Sequence, residues 1–209
     1  MRSEEVERGG CRIQVLGVVK GLRSEADKVR EAFDSFKPDK VAISLSKEEL
    51  DGLRNLPEDY EPELTRYEEI YAEGLSRFGE VSAPPPCYVA AVELADRYGV
   101  PVVPVDMDER SYTDLYCALV DGTSLFRHST RTWIVKRRRF SDAGPEEFVL
   151  AWDRAVNNLE CFRRIEHERA ETMAVGIEKA CKGIGRLLAV IELERMEDVR
   201  RRLDKAREG

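Results

Sequence analysis

Residues 12–50 read RIQVLGVVKGLRSEADKVREAFDSFKPDKVAISLSKEEL. Residues 11–19 (CRIQVLGVV) and 40–45 (KVAISL) are short, apolar and rich in β-branched side chains, which suits strands. Between them Val29, Ala32, Phe33 and Phe36 recur at helical spacing and share one face. Pro38 ends the helix, because proline lacks the N–H that would continue the ladder. A right-handed crossover then lays the two strands side by side in parallel. The stretch is a β-α-β unit, and it sets the fold class as α/β. Its strand ends offer Lys20 from the first strand and Ser44 and Ser46 from the second.

Reading outward, Ser46 is an N-cap with Glu49 three positions on, and a short helix runs towards Asn55. Leu64, Tyr67, Tyr71, Leu75 and Phe78 form a second helical stripe. GEVSAPPP is a loop, since consecutive prolines forbid helix and interrupt a ladder. A helix from Cys87 through Tyr98 stops at Gly99, and PVVPVD is a third strand that delivers Asp106 at its carboxyl end. From Ser111 to about Cys181 the pattern is helical, interrupted by Asp121-Gly122 and by SDAGPEE, where Ser141 or Asp142 offers an N-cap. RLLAVIEL is the last buried strand and MEDVRRRLDKARE a closing amphipathic helix. The expectation is one α/β domain over residues 1–209. It has a parallel or mixed central sheet of about four or more strands, flanking helices, and a helical insertion at about 111–181 before the last strand.

Composition narrows the function classes. A chain of 209 residues with 42% hydrophobic content can bury one substantial core. Charged residues make up 36% with both signs interspersed, a composition that suits surface ion-pair networks and work at high temperature. The net charge of -7 argues against a general binder of nucleic acid or anionic membrane. Cys11, Cys87, Cys117, Cys161 and Cys181 are odd in number and form no CxxC pair, so neither a zinc ribbon nor a disulfide framework is indicated. No segment reaches the roughly 20 apolar residues of a membrane span, and MRSEEVERGG is polar. A cytoplasmic location without membrane attachment is the expectation.

In open α/β sheets ligands bind beyond the carboxyl ends of the strands. That rule selects Gly17 to Lys20, Ser44 to Ser46, Asp106 to Asp108 and Glu192 to Arg195. The texts around these places are LGVVKGLRSEADKVREAFDSFKPDKVAISLS, VPVVPVDMDERSYTDL and HERAETMAVGIEKACKGIGRLLAVIELERMEDV. As an ordered set they resemble the TraB/PrgY family, related to the GumN and Tiki proteins, over roughly residues 12–120 and 165–200. The resemblance implies an α/β fold and a metal-dependent peptidase ancestry. Family motifs are a first-strand GxxH, a VELD, a strand ending in DRD, an ERxxxMA helix and a last strand ending in GAGH. Gly17, Pro38, Asp39, Asp106, Asp108, Arg169 and Met173 match that pattern, with Gly17 available for a tight turn and Arg169 for a carboxylate such as Asp106.

The departures fall on the metal-binding positions. Lys20 stands where the pattern has its first histidine, Ser44 and Ser46 stand for the glutamate and aspartate of VELD, and Arg195 takes the place of the last histidine. Protonated lysine and arginine have no lone pair to give a cation and repel it. No metal or other cofactor is therefore expected. The favoured reading is a protein without the usual catalysis, whose vestigial pocket gathers Lys20, Ser44, Ser46, Asp106, Asp108, Arg169 and Arg195. With three basic side chains among these, the expected ligand is a small anion, or else a protein partner docks there.

Retained hydrolysis is the alternative, with Lys20, Ser44 and Asp106 as the candidate catalytic residues. Lys20 could activate a serine, or it could pair with Asp106 or Asp108. Asp106 and Asp108 also resemble the DxD of haloacid-dehalogenase-like phosphatases, where they would be nucleophile and acid/base; against this, one would simply cap the following helix and the other pair with an arginine. RHSTRTWIVKRRRF, residues 127–140, is the strongest basic cluster. Trp133, Phe140 and Arg137 to Arg139 could meet single-stranded nucleic acid, although in a chain of this charge a solvated face is the favoured reading. His167 and Glu171 share a helix face, and Cys87 at a helix start could carry a lowered thiol pKa or be merely buried. Apolar faces with Val199 and Leu203, or with Tyr67 and Tyr71, suit either a homodimer or ordinary core.

Overall fold

The computed structural model describes residues 2–57, 60–128, 140 and 143–205. Five strands form one mixed sheet: β1 (Arg2–Arg8), β2 (Cys11–Val18), β3 (Lys40–Ile43), β4 (Val102–Pro104) and β5 (Arg186–Glu192), in the order β1-β2-β5-β3-β4. The β1–β2 pair is antiparallel and the other pairings are parallel. The last strand thus lies in the middle, which explains RLLAVIE: Leu187 to Ile191 are fully buried because helices cover both faces. Each such Leu or Ile side chain contributes about 1.5–3 kcal/mol by leaving water.

The strand β1 was not expected. RSEEVER buries only Val6, so its hydrophobicity is that of a loop. It is nevertheless an edge strand, joined to β2 through Gly9 and Gly10. Both have positive φ, of 53° and 82°, the conformation a tight hairpin requires. Gly17 is also different from its expected role. It lies inside β2, and a Cβ there would sit 2.6 Å from Met196 Sδ, so glycine admits close helix packing and makes no turn.

The helices are α1 (Glu25–Phe36), α2 (Lys47–Arg54), α3 (Arg66–Leu75) with a 3-10 turn (Ser76–Phe78), and α4 (Pro86–Tyr98). The insertion before β5 supplies α5 (Glu109–Leu119), a helical run over 122–128, α6 (Pro145–Val156) and α7 (Glu160–Ala180), and α8 (Leu193–Lys205) follows β5. Ser46 caps α2 in a capping box: Glu49 N–H donates to Ser46 Oγ at 3.1 Å, and Ser46 N–H to Glu49 Oε2 at 2.7 Å. Leu64 precedes α3 and is exposed, so it does not belong to the buried stripe of that helix.

The helices α1 and α4 share one apolar cluster with one sheet face, and α6, α7 and α8 build the other cluster. The chain therefore runs β2-α1-β3 on one side and returns to β5 through the insertion on the other. That change of side opens a crevice at the carboxyl ends of β2, β5 and β3. The faces considered for a dimer are used within the chain. Val199 and Leu203 are fully buried, and Tyr67 and Tyr71 pack on Trp152 with ring centroids 5.5 and 5.7 Å apart. Among the described residues no helix is long and apolar enough to cross a membrane.

Candidate functional site

Parallel pairing of β2 with β5 sets Val18 opposite Glu192, so Lys20, just beyond the strand, reaches Glu192. Lys20 Nζ donates to Glu192 Oε1 at 3.0 Å. The expected partners, Asp106 and Asp108, follow β4 on the far side of β3. Arg169 on α7 forms the hub of the network: it clamps Asp106 through Nε at 3.3 Å and through Nη2, meets Glu166 at 3.0 Å, and lies 3.6 Å from Glu192. Arg195 pairs with Asp153 of α6, and its Nε lies 2.6 Å from Glu166 Oε2. Three cations converge, and each faces at least one carboxylate.

Beyond this floor lies a cavity of about 440 Å³, within the size range of small-molecule sites. One wall carries Tyr67, Tyr71 and Trp152 from α3 and α6, where Trp152 Nε1 donates to the Tyr67 hydroxyl at 2.7 Å. Tyr112, Tyr116 and Phe162 from the insertion form a second aromatic group in the lining, with the His128 ring centroid 4.2 Å from that of Phe162. Five carboxyls line the space, Glu68, Asp153, Glu166, Glu192 and Glu194, against the cations Lys20, Arg169 and Arg195. A larger open groove of about 1020 Å³ beside α1, α2 and α4 lies away from the strand ends. Its charges include the mutual pairs Arg54–Asp96 at 3.0 Å and Arg30–Asp27 at 2.7 Å.

Of the seven residues expected to meet, Lys20, Arg169 and Arg195 line the cavity. Asp106 stands behind Arg169 and, with Ser46, faces a separate space of about 330 Å³. Ser44 is fully buried. Its Oγ is 2.7 Å from the Tyr88 hydroxyl and accepts from Glu192 N–H at 3.1 Å, so it fixes the end of β5. Ser46 and Asp108 are spent as helix caps, Asp108 accepting from Ser111 N–H at 2.8 Å and from its hydroxyl at 2.7 Å. These contacts correct the single seven-residue pocket, and they separate Lys20 from Ser44 as a base–nucleophile pair, since each side chain bonds elsewhere.

Electrostatics distinguish the two carboxyls of Glu192-Leu193-Glu194. Burial opposes ionisation of Glu192, but Lys20, Arg169 and Arg195 hold its pKa down to about 2. Burial pushes Glu194 up to about 7, and neighbouring Glu192 adds to the rise. A pair with divergent pKa values is the pattern of acid–base catalysis, yet Glu192 is too firmly held by cations to act as a good base. Burial also raises Asp106, outweighing Arg169. The Cys87 thiol is buried and pushed up to about 12, which removes the low-pKa reading at that helix start. His167 and Glu171 are both engaged by Arg202, with Nη2 2.8 and 2.9 Å from the two ring nitrogens, so they bind α8 to α7.

The cavity residues do not fit the metal that the family resemblance implies. Lys20 and Arg195 provide no lone pairs, Glu192 is committed to cations, and no cluster of three or more His, Cys, Asp or Glu among the described residues could hold an ion. Residues missed by sequence reasoning are Glu166, Asp153 and the ring pair Tyr112 and Tyr116, whereas Glu194 fell inside the selected stretch Glu192 to Arg195 without being singled out. The spacing i, i+4 of the two tyrosines was the available signal. The basic segment 127–140 and the N-cap pair Ser141 and Asp142 lie largely outside the described residues. In comparisons with models of known protein families and with curated proteins, nothing matches this chain.

Proposed function

We propose that this protein is a TraB/PrgY-like scaffold that binds a small molecule in the strand-end cavity and does not hydrolyse peptides by a metal-dependent route. The network joining Lys20, Glu192, Arg169 and Asp106 carries this reading. Where the resemblance calls for electron-pair donors there are cations, and carboxylates that could serve an ion are already bound to them. The aromatic walls supply the apolar contact area that ligand sites use. The anionic ligand suggested by three cations is disfavoured, because each cation is matched and carboxyls outnumber them around the cavity.

The test is a peptide-cleavage assay with added zinc, manganese or cobalt, with and without a chelator. The reading expects no cleavage that depends on metal. Chelator-sensitive cleavage that disappears on Glu192→Gln substitution would refute it.

A further inference from the structure

The cavity has one carboxyl left over. Lys20, Arg169 and Arg195 are each balanced by carboxylates, and Glu68 is engaged at the α3 cap, where it accepts from Thr65 N–H at 2.8 Å. Glu194 differs: its Oε2 is closed off from solvent and receives no hydrogen bond from the described residues. A buried acceptor without a donor is costly and uncommon in native proteins. Glu194 lines the cavity beside Tyr67 and Tyr71, and aromatic ring faces attract cations.

We propose that the cavity binds a small organic cation, an ammonium group on a flat apolar body, with the ammonium donating to Glu194 and the body lying against the aromatic side chains of the lining. This rests on the ligand-binding reading above and names its ligand class. The local balance agrees: five carboxyls against three cations leaves a negative surplus for the ligand to neutralise.

Protonation of Glu194 competes with the ligand. Its pKa of about 7 places that competition in the neutral range. The charged groups facing it are Lys20 beyond β2, Glu192 at the end of β5 and Arg195 on α8. Tyr67 and Tyr71 on α3 also face it and stay neutral, both raised by burial. Further round the cavity stand Glu68, Asp153, Glu166 and the hub Arg169. His128, also in the lining, is lowered by burial.

Three probes that differ only at the side-chain terminus test the proposal: tryptamine, tryptophol and indole-3-acetate, titrated calorimetrically into the full chain at pH 6 and pH 8. Tryptamine is expected to bind, about tenfold more tightly at pH 8 than at pH 6, as Glu194 gives up its proton. Near pH 6.5 its binding should release a proton, read from the difference between two buffers of unlike ionisation heat. Glu194→Gln, with its fold checked by circular dichroism, should weaken tryptamine at least tenfold at pH 8 and flatten the pH dependence. Proton release by the unaltered chain keeps the proposal testable should that variant misfold. Tighter binding of indole-3-acetate, equal binding of tryptophol, an unaffected Glu194→Gln variant, or no binding by any probe would each overturn the cation. These outcomes leave the absence of metal-dependent hydrolysis standing, and metal-dependent cleavage would overturn that part of the reading without bearing on the charge of the ligand.

Discussion

Replacing Arg169 with methionine should be among the most damaging single changes in the strand-end network. Its side chain is only 18% exposed and serves Asp106, Glu166 and Glu192, which are 5%, 16% and 8% exposed. Removing one partner from a buried ionic network leaves uncompensated charge and costs about 3–5 kcal/mol. For a chain of this length that lowers Tm by about 6–20 °C. The loss should depend on pH. In the intact protein Glu192 has a folded pKa of about 2, below its ordinary 4.5, so its stabilisation is present above pH 4.5 and lost as pH falls towards 2. Without Arg169 the neighbouring carboxyls take up protons at higher pH, which relieves the exposed imbalance in acid. Urea unfolding at pH 4 and pH 8 should therefore show the larger deficit at pH 8. A deficit under about 1 kcal/mol, or one equal at both pH values, would refute the hub.

Glu194→Gln should raise stability at pH 8 and leave it little changed at pH 5. The folded pKa of about 7 lies above the ordinary 4.5, so stability falls by up to about 3 kcal/mol as pH rises between those values; urea midpoints for both proteins would show the slope only in the unaltered chain. Gly17→Ala should cost about 1–3 kcal/mol by thermal unfolding, because its methyl would meet Met196 Sδ at 2.6 Å and Leu193 Cδ1 at 2.9 Å. An unchanged Tm would mean that α8 is not packed tightly on β2. A thiol reagent should modify exposed Cys117 in the native state and leave Cys87 unmodified until unfolding, since burial both hides that thiol and raises its pKa to about 12.

The sheet was legible where side chains sort by burial. Residues 12–50 alternate between strand and helix periods clearly enough to give β2, α1 and β3, and the capping box of Ser46 and Glu49 is written in four residues. The edge strand β1 hid because it buries Val6 alone, so only the Gly9-Gly10 turn betrayed it. Strand order decided the pairing of Lys20. With β5 inserted between β2 and β3, Glu192 comes within reach and Asp106 does not, a fact of topology that the linear spacing of these residues does not carry. The cations of the site were readable as cations, whereas their neutralisation depends on how α6 and α7 present Asp153 and Glu166. Glu194 was the least legible, since what sets it apart is a buried oxygen, Oε2, that receives no hydrogen bond from the described residues.

Side-chain carboxyl NMR on the full chain, followed from pH 8 downward and repeated with manganese, addresses the ion-paired cavity most directly. The structure predicts that Glu192 stays ionised to the lowest pH at which the fold persists, that Glu194 takes up its proton near pH 7, and that manganese broadens neither signal. A Glu192 that titrates in the ordinary carboxylate range, or that manganese broadens selectively, would contradict the account and return an ion to the strand ends.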